Sequence, residues 1–176
     1  MNVSKAFSDD GFLVDQRYTE SYPYGRFSSA LNGCGWIAAY NLLHALGRPV
    51  DCAAVNRMLN VMLPWKGCFG TPVRTMRLFL SGQHVPVRKV TGRKRFLAAL
   101  PGCYAGIIRY LDGYEPHYVA FYRLDADTFR FLNAREGEQH HCTDMETFLH
   151  EQVHFPYFRV LLTSFDPRSA GQEEAQ

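Results

Sequence analysis

The chain has 176 residues, 47% of them hydrophobic and 20% charged, with 13 Phe, 10 Tyr and 2 Trp. This is ordinary globular usage with enough apolar material for one core, and it excludes a disordered or fibrous protein for all but the ends. A net charge of +2 falls short of the clustered basic excess that a dedicated nucleic-acid surface needs, so no nucleic-acid partner is expected.

Residues 1–176 read as one domain, with residues 1–10 and 166–176 loose. The opening MNVSKAFSDDGFLVD lacks the basic-then-apolar pattern of a signal peptide. The most apolar stretch, Leu31 to Gly47, carries Asn32, Asn41 and His44 and is too short and too polar to span a bilayer. A cytoplasmic protein without a membrane partner is the expectation. Asn32 is placed to cap a helix over 33–46, with Gly47 as its stop and Trp36, Ile37, Tyr40, Leu43 and Leu46 as its apolar stripe. Asp51 caps a second helix that must end by Pro64. Thr71-Pro72 starts a third, which Gly82 ends.

Near residue 83 the pattern changes to strands. The segments 84–90, 103–110, 117–124, 128–133 and 157–164 are rich in Val, Ile, Tyr and Phe. Two short helices interrupt them. One spans 94–100, and the other starts at the capping-box pattern T-D-M-E from Thr143. A helical lobe followed by a mainly antiparallel sheet makes the class α+β.

Five Cys stand at positions 34, 52, 68, 103 and 142, with no C-x-x-C among them, which argues against a disulfide framework and a Cys₄ zinc site. Cys34 differs from the rest because it falls in the first turn of an apolar helix. Unpaired N–H groups and the helix dipole favour an anion there, and the thiolate is the nucleophilic form of Cys. Glycines on both sides leave room for a substrate to approach the backbone. A small buried structural thiol is the other use of such a residue.

A nucleophilic thiol needs a base, and the base needs an orienting partner. His117 opens a strand after the turn 111–116, and Asn133 closes the next strand. A turn centred on residue 125 or 126 sets Asn133 opposite or diagonal to His117 on one face of the sheet, within reach of a bond between imidazole and side-chain amide.

The strings NGCGWIAAYNLLHALG, GTPVRTMRLFL and PHYVAFYRLDADTFRFLNA carry a resemblance that spans about residues 28–164. The chain resembles the papain-like cysteine peptidases, nearest the branch that cleaves double-glycine leader peptides. In that branch a C-G begins the first helix, an H followed by apolar alternation begins a strand, and a D or N ends the next one. The resemblance implies a papain-like fold with a helical lobe packed on the sheet. It implies Cys34 as nucleophile, His117 as base and acid, and Asn133 as orienting residue, acting by acyl transfer on a peptide or amide with no metal or cofactor. The family usually has a Gln six residues before the Cys, donating to the oxyanion, whereas Ser28 stands there in this chain. Asn32, two residues before the Cys, is the other candidate donor. A papain-like binding domain without turnover is the non-enzymatic alternative that this departure motivates. The chain is also read as standing apart from the membrane transporter usually fused to leader peptidases.

One motif competes. His150-Glu151-Gln152-Val153-His154 matches the H-E-x-x-H of zinc metallopeptidases, in which a helix sets both His on one face and Glu serves as base. The helix that would carry it is cut short by Phe155-Pro156, so no bound metal is expected. His140-His141-Cys142 is read as a polar loop, and Arg93-Lys94-Arg95 as a solvated helix start. Trp65 and the loop 66–70 read equally as a substrate wall or as a turn between helices.

Overall fold

The computed structural model describes residues 3–48, 50–113, 115–134, 138, 140–154, 158–164 and 166. Helices dominate the first half: α1 (Ser29–Asn32), α2 (Cys34–Ala45), α3 (Cys52–Met62) and α4 (Val73–Gly82). A two-stranded ribbon, β1 (Pro23–Tyr24) and β2 (Phe27–Ser28), precedes them. The second half holds β3 (Arg88–Thr91), α5 (Arg93–Ala99), β4 (Ala105–Asp112), β5 (Glu115–Arg123), β6 (Thr128–Leu132), β7 (His141–Asp144), α6 (Met145–Gln152) and β8 (Arg159–Thr163). Among the described residues, six strands form one sheet in the order β3-β8-β4-β5-β6-β7, with every pairing antiparallel.

Alternation along the strands builds a core on each face of this sheet. Ile107, Tyr118, Ala120, Leu132 and Leu161 point to the layer that holds Trp36, Ile37, Leu43, Leu59, Met76 and Leu80 of α2, α3 and α4. Their neighbours Ile108, Val119, Phe121, Phe131 and Leu162 point the other way, against Phe96 of α5 and Phe148 and Leu149 of α6. Buried on both faces, β4 and β5 are nearly continuous apolar runs, which is why they read clearly in the sequence. α2 packs across this sheet with ten consecutive buried residues, Cys34 to Leu43.

Four expectations change in detail. First, Asn32 does not cap α2. It ends α1, and Gly33 passes between the two helices in helical geometry (φ −81, ψ −7), so Cys34 stands at a junction of two helical segments and not at a bare helix start. Second, the last helix is capped by Asp144, whose carboxylate accepts from Thr147 N, while Thr143 belongs to β7. Third, the turn expected over 111–116 is much tighter, because strand pairing runs on to Asp112 opposite Glu115. Fourth, residues 4–10 are not loose. Ala6 and Ser8 are buried, Phe7 bridges to Leu13, and Leu13 binds through both backbone groups to the buried Asn41 amide, at 2.8 and 2.7 Å. Arg130 holds Asp10 in a two-pronged ion pair, which keeps the Asp10 carboxyl well below its ordinary range. The expected loose tail falls, past Asp166, outside the described residues, as do Phe155 and Pro156.

Candidate active site

Cys34 sits between two clefts. One, of about 520 Å³, is lined by Gln16, Ala30, Asp112, His117 and Asn133 among others. The other, of about 660 Å³, is lined by Phe27, Leu31, Phe69, Thr71 and Tyr118 among others. The thiol itself is buried to 9% exposure, and its Sγ lies 3.8 Å from the Pro116 carbonyl, next to His117 in the chain.

The flanking glycines serve packing. A Cβ on Gly35 would overlap Thr71, coming to 2.6 Å from the Thr71 Cβ, and one on Gly33 would stand 2.8 Å from Trp36 Nε1. Thr71 is in turn clamped from both lobes. Its hydroxyl bonds the Tyr24 phenol at 2.8 Å and its carbonyl accepts from Tyr118 Oη at 2.7 Å. Tyr118 follows His117 on β5, so the clamp fixes the first turn of α2 against the strand that carries the imidazole. Burial raises the pKa of the Tyr24 phenol above its ordinary value, and charge on Cys34 raises it further.

The register of β5 on β6 ends at Ala120 opposite Leu132, which sets Asn133 diagonal to His117. There the chain turns sharply: Asn133 has φ 62, in the left-handed region that Asn tolerates better than most residues. His117 Nε2 lies 2.8 Å from the Asn133 backbone oxygen. A carbonyl only accepts, so Nε2 carries the proton and Nδ1 is the nitrogen left for Cys34. Burial alone would depress the His117 pKa. The hydrogen bond and charge of Cys34, the Asn133 carbonyl and the charge of Asp112 outweigh it, and the net direction is upward.

The bonded atom therefore differs from the one expected: the His117 ring meets the Asn133 carbonyl, while the Asn133 side-chain amide faces Gln16, accepting from Gln16 N and donating to Gln16 Oε1, each at 3.2 Å. Of the two oxyanion candidates, Asn32 lines the second cleft with Cys34 while its Nδ2 donates to the carbonyls of Gly67 (3.0 Å) and Tyr24 (3.4 Å), and Ser28 stands at the start of α1, not among the residues that line either cleft. Gln16 and Asp112 are the cleft residues that sequence reasoning missed. No local signal marks them, because both arrive through tertiary packing.

The competing motif does not assemble as a helical zinc site. α6 ends at Gln152, so His154 falls past the helix and the one-face geometry of H-E-x-x-H is not made. Among the described residues no group of three His, Cys, Asp or Glu is arranged to hold a metal ion. The expected loop 140–142 is in part strand: His141 is buried against Phe131 and Phe148 and bonds Glu138 at 2.9 Å, and alternation turns Cys142 outward. Arg93, Lys94 and Arg95 do open α5, exposed. In the loop 66–70, Cys68, Phe69 and Gly70 line the second cleft, and Trp65 packs edge-on against Phe69. Among the described residues no helix is long and apolar enough to cross a membrane.

No protein-family model matches the chain, and no curated protein sequence does. Six solved chains match in structure. Among them is the peptidase domain of Streptococcus ComA, a bi-functional ABC transporter involved in a quorum-sensing pathway. The two superpose with a TM-score of 0.53 over 76% of this chain and 92% of that domain, at 14% sequence identity. At that identity the likeness establishes the fold, which is that of an α+β papain-like peptidase domain with an antiparallel sheet.

Proposed function

We propose that this chain is a cysteine peptidase-like hydrolase, with Cys34 as nucleophile, His117 as general base and acid, and Asn133 as the residue that orients the imidazole. The observation that carries the reading is the meeting of the Cys34 thiol and the His117 ring in one cleft, with the far ring nitrogen bound to the Asn133 carbonyl. The double-glycine leader branch is the nearest source for the substrate class, a peptide or amide, and the likeness to the ComA peptidase domain is consistent with it.

In this mechanism His117 Nδ1 takes the Cys34 proton and the sulfur attacks the carbonyl carbon of the scissile bond. The tetrahedral intermediate collapses as the C–N bond breaks, and the amine leaves with the proton from His117. A thioester on Cys34 remains. Water, deprotonated by the same ring, attacks it, and the acid product and the thiol are released. The upward shift at His117 suits a ring that must carry a proton between these steps.

The other four thiols lack this arrangement. Cys103 is buried with its thiol 3.2 Å from the Ala105 carbonyl, and burial pushes its pKa up to about 12. Cys52 contacts the Tyr22 hydroxyl at 3.4 Å, and Cys68 and Cys142 are exposed. Brief substoichiometric iodoacetamide at mildly acidic pH is therefore expected to label Cys34 first, and His117→Ala to slow that labelling alone. Mass mapping that finds the label first on another thiol, or a Cys34 rate indifferent to His117→Ala, would remove the reading.

A further inference from the structure

Gln16 touches both sides of the site. It opens the 3-10 turn Gln16–Thr19, whose N-cap Asp15 accepts from Arg17 N at 3.1 Å. Its own N–H donates to Asn133 Oδ1, its Oε1 accepts from Asn133 Nδ2, and its Nε2 donates to the Ala30 carbonyl at 3.0 Å. Ala30 lies on α1, the segment leading into Cys34, and Asn133 supplies the carbonyl that receives the His117 N–H. The Gln16 amide has one workable orientation. Turned over, its N–H groups would face Asn133 Nδ2 and its oxygen would face the Ala30 carbonyl.

Asn133 needs such a holder. Its left-handed φ costs a non-Gly residue about 1 kcal/mol, and the turn there aims its carbonyl at the imidazole. A carbonyl aimed by backbone geometry is only as well placed as the backbone is fixed. The Asn133 side chain, buried to 8% exposure, is tied at both ends of its amide to Gln16.

We propose that Gln16 is a positioning residue for His117: it locks Asn133 so that the Asn133 carbonyl accepts the His117 Nε2–H and Nδ1 stays toward Cys34. This rests on the reading of Cys34 and His117 given above. It assigns the orienting work to a main-chain carbonyl and the support of that carbonyl to a residue 117 positions away.

The test uses the full chain as wild type, Gln16→Leu and Gln16→Glu. Leu keeps most of the volume and removes both side-chain amide contacts, whereas Glu keeps an acceptor for Asn133 Nδ2. An NMR titration of the His117 ring does not depend on Cys34 reactivity. It should show a lower midpoint in Gln16→Leu, because the Asn133 carbonyl is one of the groups that raise it, and a midpoint at or above wild type in Gln16→Glu. Alkylation of Cys34 by iodoacetamide should slow about five- to tenfold in Gln16→Leu, the worth of one hydrogen bond. Gln16→Glu, which keeps the Asn133 contact but sets its second oxygen against the Ala30 carbonyl, should slow it less than Gln16→Leu does, and Gln16→Leu should add nothing in a His117→Ala background. An unchanged His117 midpoint in Gln16→Leu would overturn the proposal, as would a slowing that persists without His117, which would mark general support of the fold. If wild-type alkylation ignores His117→Ala, the catalytic reading fails, and the NMR midpoint still decides Gln16.

Discussion

The head of α2 and the end of β6 meet at the site, and they are built in different ways. The head of α2 is assembled mostly from close neighbours in sequence: Gly33 N–H donates to Ser29 O at 2.8 Å and Trp36 Nε1 to Ser29 Oγ at 2.8 Å. The end of β6 is held from residue 16, across 117 positions. The first kind of construction leaves a pattern in the sequence, and the second leaves none until the chain is folded. The helix that carries Cys34 was therefore legible, while the main-chain oxygen that meets His117 Nε2 was not.

The largest structural effect should come from the strap that carries Gln16 to the site. Asn41→Ala would leave the buried Leu13 N–H and carbonyl without partners, and at about 1–3 kcal/mol for each group the loss should reach several kcal/mol in a urea titration. A loss below about 1 kcal/mol would mean that the N-terminal segment contributes little to the fold. Gly35→Ala probes one of the remote contacts at the head of α2. Its new Cβ would meet Thr71, and overpacking of this kind costs about 1–3 kcal/mol. Stability unchanged by that substitution would show that Thr71 moves freely, contrary to its clamp by Tyr24 and Tyr118.

Substitutions at Asn133 separate its backbone geometry from its side-chain bonds. Asn133→Ala keeps the left-handed backbone at a cost of about 1 kcal/mol and loses the Gln16 bonds, whereas Asn133→Gly loses the bonds without the strain. With the carbonyl proposed as the orienting group, both variants should keep part of the Cys34 reactivity, with Gly ahead of Ala in stability. Complete loss in both would return the orienting role to the side chain. The smallest effect concerns pH. Cys103 is raised in the fold from 9.0 to about 12, so its contribution is complete below about pH 9 and is lost as pH rises toward 12. The urea midpoint should fall over that window, and Cys103→Ala should flatten part of the slope.

What the sequence made readable follows physical range. Asp51 and Gly47 mark helix ends through bonds to residues within a few positions, and β4, β5 and β8 announce themselves by apolar runs. The register of the β5–β6 hairpin was readable because a short turn fixes it. Asn32 misled because its residue type fits a cap, while its amide is taken by the carbonyls of Tyr24 and Gly67. β7 was missed because four residues containing His141 and Cys142 lack strand composition, and pairing with β6 decides them. Residues 4–10 looked loose because Arg130, which holds Asp10, and Asn41, which holds the adjoining Leu13, lie far along the chain.

Covalent acyl chemistry at Cys34 driven by His117 can be followed in a pre-steady-state reaction with p-nitrophenyl acetate. A burst of one nitrophenolate per chain is expected, with an acetyl group mapped by mass to Cys34 and loss of the burst in Cys34→Ala. Acetylation should slow by about 10²–10⁴ in His117→Ala, the range for losing a general base. Acetyl mapped to another thiol, or a Cys34 burst of equal rate in His117→Ala, would contradict it.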